Sequence, residues 1–113
     1  MSITNQQVAG HAFLRALYPD EYFPDPLLDK GRDILLRLCE RIEAERPADL
    51  AALYALSAVA TEEFNLLQEE FWAAGSEIET MAREEIAGDF AFVVSAYEFA
   101  DADLEEVIAE RDW

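Results

Sequence analysis

Four carboxylates at seven-residue spacing are the first feature with chemical potential. The stretch TEEFNLLQEEFW, residues 61–72, carries Glu62 and Glu63, then Glu69 and Glu70. Paired carboxylates can hold a hard cation, move protons or attract a basic surface. On a helix each residue turns about 100°, so a seven-residue step returns to within roughly 20° of its start. Glu62 then stacks on Glu69, and Glu63 on Glu70, in a patch about two turns long. The apolar stripe of that helix, Ala60, Phe64, Leu67 and Phe71, is centred roughly 130° from the middle of the patch. The carboxylates therefore point away from the core, or at most to its flank, whereas a metal cage inside a bundle needs inward carboxylates. Leu66 projects near the centre of the patch, ringed by all four acids. It is an ordinary exposed leucine, a residue covered by another helix, or the apolar anchor of a docking surface for a basic partner.

Other chemistries lack their residues. A carboxylate-bridged di-iron bundle draws a Glu-x-x-His pair from each of two helices. This chain has one histidine, His11, and Val8 stands three before it. One Cys and one His cannot supply the three or four ligands of a zinc site. DPLLDKGRDILL fails as a calcium loop because Leu27 holds its third position. For nucleophilic catalysis the only pair would be Cys39 and His11. Cys39 lies at the edge of an apolar stripe, where a small buried hydrophobe belongs, and His11 reads as a surface or half-buried packing residue. Four scattered glycines build no phosphate loop. No catalytic or metal-ligating residue and no cofactor is therefore expected. Arg83 is one of only two bases after residue 49. It is either a counter-ion for Glu79 or Glu84 or a ligand clamp in an interhelical pocket.

Composition fixes the sign of any partner. The formal net charge is −17. Residues 1–49 carry 9 acids and 6 bases, net −3, while residues 50–113 carry 16 acids against Arg83 and Arg111, net −14. Such a field repels nucleic acid and anionic membrane and attracts basic protein surfaces or cations, although acidity can also serve solubility alone. No run approaches the roughly 20 apolar residues of a membrane helix. The stretch MSITNQQVAG has no basic region followed by an apolar one, so no signal peptide is expected. A lone cysteine excludes an internal disulfide, and a cytoplasmic location is expected.

The elements that position these residues are punctuated clearly. A 113-residue chain is one domain by size. A first helix is expected over about 4–17, contributing Val8, Phe13, Leu14 and Leu17. Asp25 as N-cap and Pro26 at the first helical position open a second helix running to about Arg46, before Pro47. Its stripe is Leu27, Ile34, Leu35, Leu38 and Ile42, with Gly31 inside it to permit close approach of another helix, and Asp33 is spaced to pair with Arg37. Asp49 caps a third helix closed by Gly75, with one helix or two left open at Thr61. Ser76 and Glu79 form a capping-box pattern for a fourth, about 77–99. Ile78, Ala82, Ile86, Phe90, Val93 and Tyr97 line one side of it and Met81, Phe92 and Phe99 another, which predicts a central helix. AFVVSAY has no second strand to pair with. A short helix, Ala102 to about Arg111, follows Asp101 or Asp103, Trp113 folds back, and Tyr22 and Phe23 either pack at the entry to the second helix or stand exposed as a contact site. The predicted fold is an all-α, single-domain bundle of four to five helices.

The strings HAFL (11–14), YFPD (22–25), DKG (29–31), SEIET (76–80), MARE (81–84) and the terminal RDW (111–113) resemble those of a family of small bacterial proteins catalogued only as a domain of unknown function. The resemblance spans essentially the whole chain. It implies a stand-alone, cytosolic, single-domain bacterial protein and carries over no catalytic residue. The residues themselves point to a non-enzymatic interaction protein that docks a basic protein surface through Glu62, Glu63, Leu66, Glu69 and Glu70. Inhibitor, immunity and nucleic-acid-mimic roles are its subclasses. The alternative is a metal- or small-ligand-binding bundle, possibly enzymatic, that uses Arg83. Oligomeric state is not legible.

Overall fold

Helix punctuation decides where the long elements fall. The computed structural model describes residues 3–113, so Met1 and Ser2 of the MSITNQQVAG stretch lie outside it. Helix α2 runs Asp25–Glu45. Pro24, not Asp25, is its N-cap, and no side chain caps it. Asp25 instead places its charge in the first turn, where the helix dipole favours an anion. Arg46 ends the helix in a left-handed conformation, φ 48°, just before Pro47.

Helix α3 is unbroken from Leu50 to Ala73, which settles one helix over two. Asp49 caps it by accepting from the Ala52 amide at 2.8 Å. The Thr61 hydroxyl donates back to the Ser57 carbonyl at 2.8 Å and leaves the helix intact. Gly75, φ 78°, closes α3. Its amide reaches the Trp72 carbonyl and the Ser76 amide reaches Phe71, the paired reverse bonds of a Schellman turn. That turn cancels the expected capping box, because Ser76 now belongs to the preceding helix end and its buried hydroxyl has no partner. Helix α4 starts later, at Thr80, and ends at Ala96.

The expected first helix over 4–17 does not form. Only α1, Gln6–Ala9, is helical. Turns follow, with Leu14 at φ 57°. Even so, Val8, Phe13, Leu14 and Leu17 are all buried, as their apolar character demands. The last helix, α5, is also shorter than expected, Leu104–Val107, with Asp103 accepting from the Glu105 amide at 3.0 Å. The architecture is therefore an all-α bundle of three long and two short helices, with no strand among the described residues.

Helices α2 and α3 run antiparallel and form the closest pair. Gly31 makes that approach possible: a Cβ there would sit 2.8 Å from Leu14 Cδ1 and 3.2 Å from Phe64 Cε1. Leu28 is buried in place of Leu27, which is only half-buried, while Gly31, Ile34, Leu35, Leu38 and Ile42 hold the rest of the expected stripe. Helix α4 buries Ile86, Phe90 and Val93 against this pair, but it is not central. Met81 is exposed, and Phe92 and Phe99 are only partly covered. Phe64 is the hub, with the rings of Phe90 and Trp113 at 5.9 and 6.1 Å. Trp113 folds back as expected, with the Arg111 guanidinium 5.6 Å from its ring centre. Phe23 packs on Phe71, while Tyr22 stays at the surface.

By length and composition α3 is apolar enough to cross a membrane. Ser57, Thr61, Glu62, Glu63 and Asn65 interrupt it, so it still holds no unbroken apolar run of about 20 residues. The core helix of a bundle has the same length and composition, and 39% of the most apolar 18 residues of α3 is buried. Part of its remaining apolar surface, including Val59 and Leu66, faces outward.

Candidate partner-docking face

The core side of α3 follows its predicted stripe: Ala60, Phe64, Leu67 and Phe71 are buried. Leu66 points the other way and is 66% exposed, so no other described element covers it. The four glutamates around it divide into two kinds. Glu63 accepts from Arg37 Nη2 at 2.7 Å and Glu70 from Lys30 Nζ at 2.5 Å, both across the α2–α3 junction. The predicted Asp33–Arg37 pair gives way to this longer-range one. Such exposed pairs contribute little stability, roughly 0–1 kcal/mol each, but they fix where the carboxylates point. Glu62 and Glu69 make no ion pair with any described residue and face solvent beside Leu66.

Two hollows border this face along the α2–α3 furrow. One, about 310 Å³, lies between Lys30, Arg37 and Ile34 on α2 and Glu63, Leu66 and Glu70 on α3. The other, about 460 Å³, lies at the far end between Arg41 and Glu45 on α2 and Ala52, Ala55 and Leu56 on α3. Large apolar side chains are rarely exposed elsewhere. Val59, Leu66 and Trp72 on α3 are joined only by Tyr22 and Met81 among the described residues. Arg83 is exposed on α4, and its guanidinium forms an ion pair with neither Glu79 nor Glu84, although its amide bonds the Glu79 carbonyl. Its side chain borders none of the hollows along the α2–α3 furrow.

The structure also joins polar residues that sequence reasoning left apart. Asp89 is buried in α4. Its Oδ1 lies 2.9 Å from His11 Nε2 and its Oδ2 accepts from the Leu14 amide at 2.7 Å. His11 stacks on Phe92 at 3.8 Å. The signal was present: Ala82, Ile86, Asp89 and Val93 share one face, and a carboxylate on an apolar face needs a partner. Glu43 forms a second clamp. One oxygen accepts from the amide and hydroxyl of Thr4, the other from the Asn5 amide and the Tyr97 phenol. Cys39 is fully enclosed and burial pushes its thiol up to about 12, so it packs as a small hydrophobe. No hydrogen bond joins it to His11. No group of three or more His, Cys, Asp or Glu side chains able to hold a metal occurs among the described residues.

Burial alone would raise the Glu43 pKa, but bonds from Tyr97, Thr4 and Asn5 hold it down to about 2, from an ordinary value of 4.5. A depressed carboxylate contributes stability above its unfolded value, and that contribution is lost as pH falls from 4.5 towards about 2. Glu43→Gln keeps one acceptor oxygen and removes the titration. It is expected to lower stability by about 1–2 kcal/mol at neutral pH. It is also expected to flatten the acid limb in that window, read as urea midpoints against pH.

A family model described as a family of unknown function, DUF5713, matches residues 7–113. No curated protein and no solved structure matches the chain.

Proposed function

The chain belongs to the DUF5713 family, and for it we propose a non-enzymatic role in which the outer face of α3 docks a basic protein partner. The observation that carries this reading is Leu66, 66% exposed between Glu62 and Glu69, two carboxylates with no ion-pair partner among the described residues. Covering such a leucine is worth roughly 1.5–3 kcal/mol, and the flanking charges select a partner of opposite sign. The net charge of −17 draws that partner in from a distance. Inhibitor, immunity and nucleic-acid-mimic proteins work this way, and a buried free cysteine suits the cytosol. A metal- or small-ligand-binding role through Arg83 draws no support from that residue's exposed position.

The test begins with a photo-crosslinker at position 66 and an equal one at Arg83, followed by identification of what each captures. The protein captured only from position 66 is then titrated against wild-type, Leu66→Ala and Glu62→Lys/Glu69→Lys chains at two salt concentrations. Glu63 and Glu70 are left alone, because reversing them breaks the pairs with α2. Both variants are expected to weaken binding about tenfold or more, and the charge reversal to remove most of its salt dependence. Unchanged affinity in both would end the proposal.

A further inference from the structure

The exposed face of α3 has a register as well as a charge. Ala52, Ala55, Val59, Glu62, Leu66, Glu69 and Ala73 are all exposed. Their spacings alternate three and four residues without a break. That is the a/d pattern along which a second helix packs knobs into holes. Over 21 residue steps the stripe is about 32 Å long at 1.5 Å per residue. The two hollows of the α2–α3 furrow run beside it, one bordered by Ala52 and Ala55 and the other by Leu66. The surface is thus a prepared seam for one helix, with small residues at both ends, Val59 and Leu66 as anchors and two carboxylates between and beyond them.

We infer that the occupant is an amphipathic α-helix of another protein, carrying apolar residues along one stripe and Lys or Arg where it meets Glu62 and Glu69. This rests on the docking reading above and specifies its partner. The carboxylates decide against a second copy of this chain. Parallel pairing sets Glu62 against Glu62 and Glu69 against Glu69. Antiparallel a/d layers set Glu62 beside Leu66, and Glu69 beside Val59, of the other copy, which buries unpaired charge. A lysine or arginine reaching the same carboxylate satisfies it, and its apolar stem covers the neighbouring alanines. One polar position in an otherwise apolar seam sets partner and register at a cost in affinity.

Two labelled peptides of about 24 residues, enough to match the stripe, test this by fluorescence anisotropy. One is an amphipathic helix with leucines at its a and d positions except for two lysines placed to meet Glu62 and Glu69. The other has the same composition with that periodicity scrambled. The periodic peptide is expected to bind at least about tenfold more tightly, and Val59→Ala and Leu66→Ala each to weaken it several-fold. Equal binding of both peptides, weakened by salt and by Glu62→Lys/Glu69→Lys, would overturn the helical partner while leaving the basic-partner reading intact. Binding by neither would overturn the helical partner, and the titration with the crosslinked protein would then decide the broader reading. Sedimentation of the protein alone gives a second readout. Wild type is expected to be monomeric, and Glu62→Leu/Glu69→Leu, whose seam is wholly apolar, to self-associate. A wild-type dimer lost in Leu66→Ala would overturn the inference in favour of a second copy, and a monomeric Glu62→Leu/Glu69→Leu would overturn the seam.

Discussion

Asp89→Ala is expected to lower the unfolding free energy by about 3 kcal/mol, a large share of the roughly 5–15 kcal/mol typical of a domain. The carboxylate is buried in α4 and ties down a segment that has almost no regular structure of its own. Removing it leaves the Leu14 amide, inside the core, without an acceptor and frees the His11 ring from its partner. It also releases Leu14 from a left-handed backbone that an unconstrained leucine avoids. Asp89→Asn keeps one acceptor and the shape, so a loss nearer 1 kcal/mol is expected at neutral pH. Urea unfolding of both variants is the measurement, and an Asp89→Ala chain within error of wild type would show that the clamp is idle.

The pH dependence separates this carboxylate from Glu43. Burial raises the Asp89 pKa above its ordinary 3.8, against the opposing bonds from His11 and Leu14. The folded chain therefore keeps the proton to higher pH than the unfolded chain, and this group's contribution falls as pH rises through that window. Glu43 behaves oppositely, losing its contribution only as pH falls towards about 2. The gap between wild type and Asp89→Asn is accordingly expected to widen on acidification. The gap to Glu43→Gln is expected to narrow.

Both clamps hold the part of the chain that sequence reading placed wrongly. The ends of α2 and α3, the cap at Asp49 and the stop at Gly75 are legible because their causes lie within a few residues, and the return of Trp113 because so large an apolar side chain is driven to burial. Residues 4–17 have apolar residues at helical spacing, yet their backbone groups find carboxylates far along the chain. The Leu14 amide meets Asp89 75 residues away, and the Ala16 amide meets Glu85 69 residues away. No local pattern encodes such a partner. The Ser76 and Glu79 pattern fails for a related reason, since two local motifs compete for one residue and the Schellman turn takes it. On the outer side of α3, periodicity correctly turned Leu66 and its glutamates away from the core. Which carboxylates remained unpaired depended on how far Lys30 and Arg37 reach from α2, a tertiary fact. The alternation of three- and four-residue spacings from Ala52 to Ala73 was present in the sequence, but only exposure distinguishes an open stripe from a packed one.

Gly31 is where the N-terminal segment and the α2–α3 pair meet, and substitutions there are expected to have the other large effect. Alanine brings a Cβ to 2.8 Å from Leu14 Cδ1 and 3.2 Å from Phe64 Cε1. A leucine methyl at the surface would swing aside. Leu14 is 2% exposed and its backbone is held by Asp89, while Phe64 is enclosed between Phe90 and Trp113. Overpacking of this kind costs about 1–3 kcal/mol, and the better helix propensity of alanine returns up to about 1 kcal/mol. Gly31→Ala is thus expected to destabilise by about 1–2 kcal/mol, and Gly31→Leu by more than about 3 kcal/mol, because its branch has no space at all. A double-mutant cycle identifies the cause. Leu14→Ala removes the nearer obstacle at its own cavity cost, and in that background Gly31→Ala is expected to be neutral or slightly stabilising. Additive losses would instead place the strain at Phe64, between the two long helices, and would mean that the N-terminal segment yields where the bundle does not.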